Sequence, residues 1–294
     1  MEIKDRLLGS FLGLAIGDAV GTTVEFRARD TFEPVTDMVG KGPFNLPAGY
    51  FTDDTSMALC LAESLVANND LNREDLLERF SRWYRNGENS PTGRCFDIGT
   101  TTRAAIVNYE KTRSTVNNTD PWDAGNGSIM RLAPAVIKYH NDGDRAVATA
   151  IMQGETTHGS VEACDSCELL ARILLTAYVT DDKNNVLNID IQDHWADSVK
   201  NILKTLDVSR DEVNSSGYVI HTLHAALWCF KNTDNFRDAI LLAANLGDDA
   251  DTVAAVTGQI AGAFYGIDEI PVQWIAKIYG YDRFVELTKA LINE

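Results

Sequence analysis

Tyr50-Phe51-Thr52-Asp53-Asp54-Thr55-Ser56-Met57-Ala58 sets two adjacent carboxylates between two threonine hydroxyls, just ahead of an apolar helical pattern. Asp53 and Asp54 repel each other in isolation, and a helix N-terminus or a bound cation offsets such repulsion. A second stretch near the other end repeats the chemistry. Gly247-Asp248-Asp249-Ala250-Asp251-Thr252 places carboxylates and a threonine hydroxyl ahead of a helix pattern through Val253, Val256, Ile260 and Phe264. Oxygen-only clusters suit hard cations such as Mg2+ or Mn2+, whereas zinc calls for Cys or His beside them. The fold is expected to bring the two stretches together.

The 294 residues are 45% hydrophobic and 23% charged, enough for a sizeable buried core. A net charge of -17 argues against nucleic acid and anionic membranes as partners, since both require a basic patch. Five irregularly spaced cysteines and no signal-peptide pattern fit a reducing cytoplasm. Cys164 and Cys167 lack a second pair to complete a zinc set and read as helical thiols.

From Lys4 to Val20 the apolar residues fit a helix in which Gly9, Gly13, Gly17 and Gly21 recur at every fourth position. One face is therefore bare backbone, and close approach of another helix or a ligand would compensate for the lost helix propensity. The run is shorter than the roughly 18 residues of a membrane span. A long irregular connection follows to Tyr50, carrying Glu25 between apolar neighbours; a partly buried carboxylate there suits acid or base work, with a plain surface role as the alternative.

Further helices are expected from Ser56 to Asn68, after Asn72 to about Asn86, and through Ala104 to Tyr109, with Asp97 before the last as an N-cap. Pro121 to Met130 holds Gly125-Asn126-Gly127-Ser128 ahead of a helix through Ile129, Leu132, Val136 and Ile137, where a phosphate cradle or a plain turn is expected. Thr156-Thr157-His158 leads into a helix through Leu169 and Leu174. Helical patterns continue over 195–206, 217–230, 236–246, 253–265, 274–279 and 284–292. Convincing strands, repeats and linkers are missing, so the expectation is one all-α domain over residues 1–294.

Taken together, Gly17-Asp18-Ala19-Val20-Gly21, Val24-Glu25-Phe26, Thr52-Asp53-Asp54-Thr55, Gly125-Asn126-Gly127-Ser128-Ile129-Met130-Arg131, Thr157-His158 and Asp249-Ala250-Asp251-Thr252 resemble the ADP-ribosylglycohydrolase family. The branch they resemble most is that of the dinitrogenase-reductase-activating glycohydrolases. The resemblance implies a compact orthogonal multi-helix bundle with a central binuclear Mg2+ or Mn2+ site, hydrolysing the bond between ADP-ribose and a modified protein side chain, arginine first. It implies Thr52, Asp53, Asp54, Asp249, Asp251 and Thr252 as metal ligands, and catalytic work for Glu25, Asp54 and Asp249. It places Asp97, Gly125, Asn126, Gly127, Ser128, Ile129, Met130 and His158 at the substrate. The expected partner is an ADP-ribosylated protein or ADP-ribose, and the expected state a cytoplasmic monomer. The family has Gly-Gly before Asp-x-Asp-Thr where this chain has Gly247-Asp248, an extra charge that bears on metal preference. The rival readings are cleavage of serine-linked ADP-ribose or O-acetyl-ADP-ribose, a metal phosphohydrolase, and a non-catalytic ADP-ribose binder or structural protein.

Overall fold

The computed structural model describes residues 1–116 and 124–293. Pro121, where the expected glycine loop opens, lies outside the described residues. Among the described residues the secondary structure is helical, with antiparallel bridges only at Lys41–Leu46 and Gly125–Tyr218. The all-α expectation holds. None of the described helices is long and apolar enough to cross a membrane.

The centre is a pair of helices from opposite ends of the chain, α1 (Ile3–Gly21) and α12 (Ala250–Tyr265). A Cβ at Gly9, Gly13, Gly17 or Gly21 would collide with the carbonyl oxygen of Gly262, Gly258, Ala254 or Ala250 respectively, so the two backbones touch along their length. The order of these contacts makes the helices antiparallel. The glycine stripe of α1 thus meets a stripe of small residues on α12 that has the same spacing of four, and the contact offsets the low helix propensity of glycine. Both helices are buried almost throughout, and their chemistry is concentrated where the C-terminus of α1 meets the N-terminus of α12.

The remaining helices wrap this pair: α2 (Asp53–Asn68), α3 (Arg73–Asn86), α4 (Thr100–Thr112), α5 (Ala133–Lys138), α6 (Gly143–Gly154), α7 (Val161–Ala177), α8 (Lys183–Leu187), α9 (Asp197–Ile202), α10 (Val219–Lys231), α11 (Phe236–Ala244), α13 (Val272–Ile275) and α14 (Tyr281–Leu291). α3 starts as expected, with the Asn72 side chain accepting from the backbone N–H groups of Glu74 and Asp75. Cys164 and Cys167 lie on α7 as free thiols.

Three local expectations change. α2 begins at Asp53 rather than Ser56, so both carboxylates belong to its first turn, where the helix dipole favours negative charge. Asp97 is not an N-cap: Gly99 holds that position for α4, and Asp97 has a left-handed backbone with φ 50°. The glycine loop does not open an α-helix directly. Residues Asn126–Ser128 form a single 3-10 turn, and α5 starts only at Ala133.

Candidate active site

Asp18 organises the site from within α1. Its Oδ1 accepts from Thr52 N at 2.8 Å and Thr52 Oγ1 at 2.9 Å, and its Oδ2 accepts from Thr55 N at 3.1 Å and Thr55 Oγ1 at 2.6 Å. The first turn of α2 is therefore capped by a carboxylate from another helix, which fixes Asp53 and Asp54 in direction. Burial pushes the Asp18 carboxyl up to about 6, against the hydrogen bonds from Thr55 and Thr52 that hold it down. Asp18 received no role from the sequence, since its partners lie more than thirty residues away and no local pattern announces them.

α12 delivers the second half. Asp249 sits at its N-cap position and is buttressed by Asn126, whose Nδ2 donates to Asp249 Oδ2 at 2.5 Å and to Thr222 Oγ1 at 2.9 Å. Thr252 Oγ1 donates to Asp249 Oδ1 at 3.4 Å. Across the gap, Thr52 Oγ1 lies 3.2 Å from Asp251 Oδ2 and 3.4 Å from Asp54 Oδ2, so the two acidic stretches meet as expected. One hydroxyl proton cannot serve Asp18, Asp54 and Asp251 at once.

Glu25 reaches the same place from the loop after α1. Its Oε2 accepts from Thr22 Oγ1 at 3.2 Å, and carboxylate oxygens of Glu25, Asp249 and Asp251 lie within 4.8 Å of one another, a grouping able to hold a metal ion. The loop is pinned to the start of α12: Phe26 N donates to Asp248 O at 2.7 Å, and Asp248 N to Arg27 O at 2.8 Å. Arg29 anchors it further, donating to the carbonyls of Leu246, Arg210 and Val213. Asp248 has φ 55°, a conformation in which glycine is at ease and aspartate tolerated, and its Oδ2 accepts from Ser215 Oγ at 3.3 Å. That backbone admits the aspartate at a position where the resemblance leads one to expect glycine.

Asp18, Glu25, Asp53, Asp54, Asp97, Asp249 and Asp251 thus converge on one chamber, and none of them forms an ion pair with a basic residue among the described residues. Burial, then the Asp97 charge, pushes Glu25 up to about 10; burial, then Asp249, pushes Asp97 up to about 7. Burial and neighbouring carboxylates hold Asp53, Asp54 and Asp251 well above the usual range. Asp249 is raised by burial although Asn126 holds it down. Asp54 Oδ1 is buried with no hydrogen-bond partner among the described residues. An orphaned carboxylate oxygen in an acidic, oxygen-only chamber is the environment a hard divalent cation completes.

The chamber opens into a cavity of about 800 Å3 lined by Glu25, Phe26, Asp53, Asp97, Gly125, Asn126, Gly127, Met130, His158, Asp249, Asp251 and Thr252 among others. A second groove, of about 980 Å3, runs along residues 23–43 and meets it at Glu25. Thr52 and Asp54 lie beneath the lining, while Ser128 and Ile129 are fully buried and away from it. The glycine loop is held from behind, by Gln259 Nε2 donating to the carbonyls of Ile129 and Met130 and by Gln153 Nε2 donating to that of Ser128. A Cβ at Gly127 would stand 2.5 Å from His158 Cε1, so the imidazole occupies the room glycine leaves. His158 Nδ1 lies 2.8 Å from Thr157 Oγ1, and burial, then Arg131, pushes the imidazole down to about 3, keeping it neutral. Arg131, fully buried, ties the two loops together by donating to Gln153 and Thr157. It had no role in the sequence reading.

The structure is an all-helical bundle that carries an acidic chamber beneath a cavity of ligand size. The chain belongs to the ADP-ribosylglycohydrolase family, whose model matches residues 1–294. It is 48% identical over 292 residues to an ADP-ribosylarginine hydrolase of Serratia proteamaculans, covering 99% of this chain and 80% of that protein. It is 32% identical over 284 residues to the ADP-ribosyl-[dinitrogen reductase] glycohydrolase of Rhodospirillum rubrum, covering 94% and 91%. A solved structure described as an ADP-ribosylglycohydrolase-related protein complex superposes with a TM-score of 0.89 at 39% identity, covering 99% of this chain and 98% of the other.

Proposed function

We propose that this chain, as one domain over residues 1–294, hydrolyses the N-glycosidic bond between ADP-ribose and a modified arginine side chain. The observation that carries the reading is the chamber of buried carboxylates with no basic partner among the described residues, opening into a cavity walled by the glycine loop and His158. The printed activity of the Serratia proteamaculans relative, an ADP-ribosylarginine hydrolase, supports arginine as the acceptor.

Two divalent cations, Mg2+ or Mn2+, would be held by Thr52, Asp53, Asp54, Asp249, Asp251 and Thr252, with Glu25 within reach of the same volume. Bound there, they would supply positive charge that orients ribose hydroxyls and makes a neighbouring water more acidic. Asn126 holds Asp249 in direction, Asp18 does so for the first turn of α2, and Thr52 bridges the two acidic stretches. Glu25, ionised once cations are bound beside it, would relay one proton, taking it from the attacking water and giving it to the departing guanidine nitrogen. Water oxygen joins the anomeric carbon, the carbon–nitrogen bond breaks, and free ADP-ribose and arginine leave. Gly125, Gly127, Met130 and the neutral His158 wall the part of the cavity assigned to ADP-ribose. Asp97, at the cavity wall beside Glu25, pairs with the guanidinium fork.

Incubation with arginine- and serine-linked ADP-ribosyl proteins, with added Mg2+ or Mn2+ or with chelator, tests the reading through release of free ADP-ribose. Release from the arginine-linked substrate that depends on the cation is expected. Efficient release from the serine-linked substrate would overturn the acceptor assignment.

A further inference from the structure

Phe26 is the most exposed aromatic side chain among the described residues, 66% accessible, and it lines the catalytic cavity. Its backbone is left-handed, with φ 63°, a conformation that a bulky residue adopts only at a cost. The ring stands edge-on to Phe44 at 6.2 Å between centroids, and Phe44 lies 5.1 Å from Phe96. Two members of this cluster are chain neighbours of site carboxylates: Phe26 follows Glu25, and Phe96 precedes Asp97. Phe26 thus brings apolar surface and backbone strain to the wall of the cavity, backed by Phe44 and Phe96, above carboxylates that have no basic partner among the described residues. An exposed phenyl contributes little to the core, so stability does not account for it.

We propose that the Phe26–Phe44–Phe96 cluster is the acceptor subsite, with Phe26 the residue that selects an arginine-linked substrate. A guanidinium combines a flat apolar face with a delocalised positive charge, and it stacks on an aromatic ring while its edge pairs with a carboxylate. The cluster provides the ring and Asp97, beside it in sequence, the carboxylate. The three-carbon stem of arginine covers the phenyl surface that would otherwise face water. A serine acceptor offers neither the flat cation nor the stem. This subsite rests on the reading of the site as an ADP-ribosylarginine hydrolase.

The test uses the full chain with its cation present and compares Phe26→Leu, which keeps an apolar side chain but removes the ring, with Phe26→Tyr, which restores it. Cation–π contacts correspond to about 2- to 30-fold in an equilibrium or rate ratio. Phe26→Leu is therefore expected to lower kcat/KM on the arginine-linked substrate by about that factor, and Phe26→Tyr to recover it. Affinity for free ADP-ribose, which carries no acceptor, and the thermal midpoint are expected to stay at wild-type values in both. Unchanged kcat/KM in Phe26→Leu, or a parallel fall in ADP-ribose affinity, overturns the subsite alone when the wild type cleaves the arginine-linked substrate. Absence of wild-type cleavage overturns the subsite together with the reading on which it rests.

Discussion

Gly21 and Asp251 meet where α1 ends and α12 begins: a Cβ on Gly21 would stand 2.5 Å from the Cα of Asp251. The helix contact and the acidic chamber are therefore one construction, and a methyl group inserted at the right glycine should disturb both. Gly9, at the far end of the same stripe, touches Gly262 instead. Gly9→Ala and Gly21→Ala are each expected to lose about 1–3 kcal/mol of stability through overpacking, outweighing the gain of about 1 kcal/mol in helix propensity. Only Gly21→Ala should also weaken cation binding. Denaturant midpoints and Mn2+ affinities on both variants check this; equal metal affinity in the two would separate the stripe from the site.

Glu25→Gln preserves shape and removes the ionisable group. Turnover is expected to fall by about 100-fold or more, the scale of a lost general acid or base, while the thermal midpoint stays near wild type. Single-turnover release of ADP-ribose measures it, and a wild-type rate would strip Glu25 of its role.

Asparagine is the substitution that isolates the Asp97 charge, because the left-handed backbone there suits aspartate or asparagine and strains alanine. Asp97→Asn is expected to lose at least about tenfold in kcat/KM on arginine-linked ADP-ribose, the lower end of a lost charge-assisted hydrogen bond, with metal affinity and stability retained. A loss confined to stability would return Asp97 to a purely structural part.

The site carboxylates also predict how pH and cation act together. Asp97 and Glu25 have folded-state values raised to about 7 and about 10, and Asp53, Asp54 and Asp251 are raised as well. A raised carboxyl contributes stability below its unfolded value that is lost as pH climbs through the folded one. Between pH 6.5 and 8.5 the cation-free protein should therefore lose stability, whereas His158, pushed down to about 3, contributes little change in that window. Mn2+ held by the ionised carboxylates would offset their repulsion, so on the proposed reading its thermal shift should grow from pH 6.5 to 8.5. Scanning calorimetry with and without Mn2+ would show it, and a pH-independent shift would contradict it.

Much of this was readable in the chain, for physical reasons that particular residues make clear. The α1 glycines announce a close contact because a spacing of four aligns them on one face, whereas the same spacing in their partners Ala250, Ala254, Gly258 and Gly262 was not read from the sequence, since alanines and glycines among Val253, Val256 and Ile260 do not stand out. The acidic stretches were legible because carboxylates beside threonines ahead of apolar helices are chemically unusual. Asp18 was not, because its hydrogen bonds join residues far apart in sequence. The helix Gly143–Gly154 went unread: its buried face is made of Ala146, Thr149, Ala150 and Gln153, small or polar residues that do not stand out as core in the sequence. The glycine loop gave its residues but not its shape, since Gln259 and Gln153 hold it from remote helices.

That the chamber carboxylates, without basic partners among the described residues, form a site for hard cations is tested most directly by calorimetric titration of Mn2+ into the metal-free chain. Two Mn2+ per chain are expected for the wild type, with affinity, stoichiometry or both reduced in Asp249→Ala. No binding by the wild type, or an unchanged isotherm in Asp249→Ala, would contradict the claim.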